Sequence, residues 1–106
     1  MNENLLNEVN GKSIFIGDFE IKQFDGKLAV TMTCVCEDQN AYFILFENVS
    51  KLQLSNIFYP FEISGFEILD FSSRGYQNDS RFFVNDYEEG QLSFYCEDFE
   101  IFDANR

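Results

Sequence analysis

Histidine and tryptophan are absent from this 106-residue chain, proline occurs once, cysteine three times, and seven cations face nineteen carboxylates. Each shortage excludes something. Without histidine, the usual general base, the usual partner of a serine or cysteine nucleophile and the commonest metal ligand are all missing. Cys34, Cys36 and Cys96 are an odd number, a poor disulfide framework, and without histidine they do not complete a four-ligand zinc set. Cys34 and Cys36 stand two apart in an expected strand, so they share a face and are expected as buried free thiols. The six glycines are scattered and form neither a P-loop nor a dinucleotide fingerprint. "DFSSRG" (70–75) and "DYEEG" (86–90) are rich in oxygen but do not match an EF-hand loop. The expectation is therefore no cofactor, no metal and no enzyme.

No apolar run approaches the roughly 20 residues of a membrane helix. The start, "MNENLLNEVNGKS", lacks a basic region followed by an apolar one, so no secretory leader is expected and the expected location is the cytoplasm. Basic stripes are missing too. The net charge of −12 opposes nucleic acid and anionic membranes and attracts basic surfaces, so the expected partner is a basic protein.

What is present is aromatic. Fourteen phenylalanines and five tyrosines are far more than a disordered acidic chain carries, and they supply a core. The length fits one domain spanning 1–106. Residues 1–12 are read as a short helical or irregular segment, with Leu5, Leu6 and Val9 on one face and Gly11 as its stop. From residue 13 the apolar period is two. Ile14 and Ile16 precede Gly17, a candidate bulge, and "DG" at 25–26 marks a hairpin turn. "KLAVTMTCVC" alternates cleanly as a half-buried strand. "AYFILFENV" is apolar almost throughout and is read as a central strand covered on both faces. In "SKLQLSN", Leu52 and Leu54 are expected inward.

The triplet Phe-Glu-Ile occurs at 19–21, 61–63, 66–68 and 99–101, irregularly spaced and so not a solenoid repeat. Each copy is read as strand, with Phe and Ile entering the core and Glu facing away. For the second and third copies to share one core, Ser64-Gly65 must absorb one residue. Pro60 opens that strand, and 72–80 reads as a loop. The fold class is all-β, an antiparallel sandwich or small barrel of seven or eight short strands.

Charge concentrates at the C-terminal end. Between Phe82 and Asn105 there is no cation, and Phe83, Tyr87, Phe94, Tyr95, Phe99 and Phe102 interleave the acids. Asp86, Tyr87, Glu88, Glu89, Glu97, Asp98, Glu100 and Asp103 are the expected partner-binding residues, converging on one end or face as aromatic anchors within a carboxylate rim. The stretch "FENVSKLQL…PFEISGFEILDF…FVNDYEEGQLSFYCEDFEIF", within residues 46–102, resembles small acidic β-rich bacterial immunity proteins found beside polymorphic toxins. The resemblance lies in aromatic strands with Phe-Glu-Ile-like triplets and acidic turns, and assigns no residue a role. It implies an antagonist that covers the basic cleft of a nuclease-type toxin. Two other readings fit the same residues. One is an inhibitor of a host defence nuclease, encoded by a phage or mobile element and mimicking nucleic acid. The other is a structural accessory domain that forms homodimers through edge strands.

Overall fold

The computed structural model describes residues 2–55, 61–71, 80–88 and 90–104. One helix, α1 (Asn2–Val9), precedes eight strands: β1 (Lys12–Phe24), β2 (Lys27–Cys36), β3 (Ala41–Glu47), β4 (Ser50–Leu54), β5 (Phe61–Asp70), β6 (Phe82–Asp86), β7 (Leu92–Cys96) and β8 (Asp98–Asp103). All pairings are antiparallel, in the order β4-β7-β6-β5-β1-β2-β3-β8. Among the described residues no helix is long and apolar enough to cross a membrane.

A corner doubles the sheet over. β3 runs into β4 through Asn48 and Val49, and β7 runs into β8 through Glu97. β3 pairs with β8 before the bend and β4 with β7 after it. Asn48 takes a left-handed φ of 55°. Glu97 N donates to Glu47 O at 3.0 Å, and Val49 N to Leu28 O at 2.7 Å. β4 and β8 thus end the strand order without pairing to each other, and the fold is a sandwich rather than a closed barrel.

Two bulges set which side chains fill it. The β1–β2 register shifts between Ile16 and Asp18, so Gly17 is the extra residue expected there. On β5, Ile63 and Phe66 oppose Ile14 and Lys12, so Ser64-Gly65 carry one residue too many. Ile63, Phe66 and Ile68 are consequently all buried, as are Phe99 and Ile101 of the last triplet. The first triplet departs from expectation. Phe19 packs against the core, but Ile21 is 49 % exposed. The reason is reach: among the described residues β5 flanks β1 as far as Ile16, whereas β2 follows it to Phe24. The hairpin turns at Asp25 and Gly26, both with positive φ (54° and 74°), as a two-residue primed turn requires.

Two further expectations are corrected. β3 is covered on one face only; Tyr42, Ile44 and Phe46 are buried while Phe43 faces outward. Leu54 is exposed and only Leu52 packs on the core. β4 is an edge strand whose register slips between Ser50 and Gln53, with Lys51 at φ 55°, so its alternation breaks. Pro60 and the loop over 72–79 lie outside the described residues.

The helix is too short to stand alone and docks through Leu5, Leu6 and Val9 against β8, β1 and β5. Asn10 Oδ1 accepts from Ile68 N at 2.8 Å, and Gly11 at φ 76° turns the chain into β1.

Candidate functional site

The seven described residues among the eight expected to bind a partner do not form one patch. Asp86 is buried at the end of β6, where Oδ1 accepts from Glu88 N at 3.2 Å and its backbone oxygen from Gly90 N at 2.9 Å. It builds the β6–β7 turn. Tyr87 and Glu88 are exposed on that turn, and Glu89 lies outside the described residues. Glu97 and Asp98 occupy the opposite end of β7, five residues away and so roughly 17 Å along the strand. Glu100 and Asp103 are exposed on β8. Of the interleaved aromatics, Phe94 and Phe99 are core, whereas Phe83 and Tyr95 pack together at 4.8 Å on the outer side of β6 and β7.

At the corner the fold gathers acids that the sequence keeps apart. Two shallow grooves, of about 350 and 380 Å³, share Glu47 and Glu97. One adds Asp98 and Arg81; the other adds Asp25, Lys27 and Asn48. Asn48 Nδ2 donates to Glu97 Oε1 at 3.2 Å. Glu47 stands directly opposite Asp98 in the β3–β8 ladder. Like charges placed so are unfavourable to the sheet. Asp98 Oδ1 turns back to accept from Phe99 N at 2.8 Å. Arg81 lies over the Phe82 ring at 4.7 Å and reaches Asp70 Oδ2 at 3.4 Å.

From this corner the outer face of β1-β2-β3-β8 continues as an apolar field. Phe43 opposes Phe102, their rings 6.1 Å apart, and they are 36 % and 45 % exposed. Thr33 lies beside Phe43 on β2, and Phe15, 50 % exposed, faces Val35 on the far strand. The field crosses four strands, roughly 14 Å. Carboxylates border it: Glu62 faces Phe15, Asp18 faces Thr33, and Glu100 faces Leu45. Asp18 is held there by two contacts with the threonine, its amide donating to Thr33 Oγ1 at 3.1 Å and its Oδ2 accepting from that hydroxyl at 3.3 Å.

No family model matches the chain, and neither a curated protein nor a solved structure does.

The sequence reading named Phe102 but missed Phe15 and Phe43. The signal was parity: Phe15 lies between the inward Ile14 and Ile16, and Phe43 between the inward Tyr42 and Ile44. Glu47 and Asp25 were invisible as site residues because only the corner brings them to Glu97. The thiols sit elsewhere. Burial pushes Cys34 and Cys96 up to about 12, and also raises Cys36 and the phenol of Tyr42, with neighbouring acids adding to both. These are protonated packing groups rather than nucleophiles. Among the described residues no cluster of three or more His, Cys, Asp or Glu is placed to hold a metal ion.

Proposed function

We propose that the chain is a non-enzymatic acidic binding protein that antagonises a basic protein, in the concrete form of an immunity protein neutralising a bacterial nuclease-type toxin in the cytoplasm. The observation carrying this reading is the corner: Asp25, Glu47, Glu97 and Asp98 arrive there from three separate parts of the chain. Four carboxylates against Lys27 and Arg81 leave the corner net negative, and that field adds to the −12 of the whole molecule. Such a field raises the capture rate of a cationic partner and opposes nucleic acid. An apolar field flanked by acids extends from it, which favours a compact protein contact over mimicry of a phosphate backbone, where charge would run unbroken.

The test is capture from a lysate of the source organism, eluted along a salt gradient, with the wild type and a Glu47→Lys, Glu97→Lys, Asp98→Lys triple variant as baits. The expected result is a basic nuclease or toxin retained by the wild type, released by moderate salt, and lost from the variant. Recovery of no basic protein, or equal recovery on both baits, overturns the reading.

A further inference from the structure

Resting on that reading, we infer that the outer face of β1-β2-β3-β8 is the docking surface for an arginine-bearing element of the basic partner, with Phe43 and Phe102 as the stacking platform and Glu100 as the carboxylate that receives the guanidinium. Large side chains a third to a half exposed, side by side on a sheet, mark interaction surfaces. Charge selects the occupant. The field is bordered by Glu62, Asp18 and Glu100, so a second copy would set carboxylates against carboxylates, and an anionic membrane or nucleic acid would be repelled.

Geometry selects arginine over lysine. Glu100 and Phe102 are i and i+2 on one face of β8, so their Cα atoms are about 7 Å apart. A guanidinium lying on the Phe102 ring therefore has its N–H fork within reach of the Glu100 carboxylate. A lysine ammonium is a strongly hydrated point charge and cannot stack and fork together. The chain already uses this arrangement internally: Arg81 covers Phe82 at 4.7 Å while reaching Asp70 at 3.4 Å. On the outer face the ring and the carboxylate are in place, and the cation is what a partner brings.

The experiment titrates the isotopically labelled chain with two blocked tripeptides at low salt, Arg-Leu-Arg and Lys-Leu-Lys, following amide shifts. The expected result is perturbation centred on 33, 43, 45, 100 and 102, with the arginine peptide about 2–5-fold tighter. That preference should vanish in the Phe43→Ser, Phe102→Ser double variant and shrink in Glu100→Gln, with amide dispersion reporting that each is folded. Equal affinity for the two peptides overturns the inference, as do shifts confined to the 25, 47 and 97 corner. So does light scattering that shows a dimer abolished by the double variant. The two proposals fail separately. Partner capture that survives the double variant but not the lysine triple variant removes the docking face and leaves the antagonist standing. An arginine preference mapped to Phe43 and Phe102, without any basic protein captured, does the reverse.

Discussion

Gly65 and Phe66 are neighbours with opposite requirements. Gly65 takes φ 75°, and a Cβ there would come 2.8 Å from the Tyr87 ring, while Tyr87 N donates to Gly65 O at 3.2 Å. Gly65→Ala meets both a left-handed backbone and an aromatic ring, so a loss of at least about 1–2 kcal/mol is expected in denaturant unfolding. Because Glu88 Cγ would lie almost as close, at 2.9 Å, adding Tyr87→Ala should recover only the ring's share of the steric loss; full recovery would show that neither the Glu88 contact nor the φ costs stability. Phe66 is wholly buried, and Phe66→Ala is expected to lose about 3–5 kcal/mol by the same measurement. A loss near zero would mean that the bulge does not turn Phe66 inward.

At the scale of the strand, β2 carries two of the thiols on its inner side. The folded values of Cys34 and Cys96 lie above the ordinary thiol range, at about 12. Folding therefore favours the protonated thiol. Its contribution is complete below about pH 8.5, where the unfolded thiol titrates, and is lost as pH rises toward 12. Thiol reagents at pH 8 should label these cysteines only at the rate of unfolding, and labelling at the rate of a free thiol would contradict their burial. On β3, replacing Glu47 by Gln removes the like charge opposite Asp98 and should raise stability by about 0.2–1 kcal/mol while weakening partner capture. If stability is unchanged and capture persists, the opposed pair has neither cost nor use.

The strands also show what was readable beforehand. Alternation in β2, the Asp25-Gly26 turn, both bulges, the inward Ile63, Phe66 and Ile68 on β5 and the inward Phe99 and Ile101 on β8 follow from period and glycine placement, because these are local rules. The exposed Leu54 and Ile21 do not, since each depends on which strand lies beside it and how far that neighbour runs. The acidic set divides for the same reason. Tyr87 and Glu88 are near Glu97 in sequence, yet β7 holds them at opposite ends, while Glu47 reaches Glu97 only through the corner.

For the molecule as a whole, the excess of nineteen carboxylates over seven cations repels the compact state from within. Ion pairs such as Lys22 with Glu20 at 3.7 Å are exposed and relieve little of this. Thermal unfolding followed from 10 mM to 0.5 M sodium chloride is expected to move to higher temperature as screening sets in. An unchanged or falling midpoint would mean that the surface charge is compensated.

The bent pairing of β3–β4 with β7–β8 has a consequence in time. Asn48 and Glu97, which meet across the corner, are 49 residues apart. A ribosome adds that stretch in about 2–10 s. For that interval the polypeptide contains "AYFILFE" but not yet the strand that lines its open edge. A nascent apolar edge is a template for other chains, and Glu37 and Asp38 before it, with Glu47 at its end, are the charges that guard it until β8 arrives.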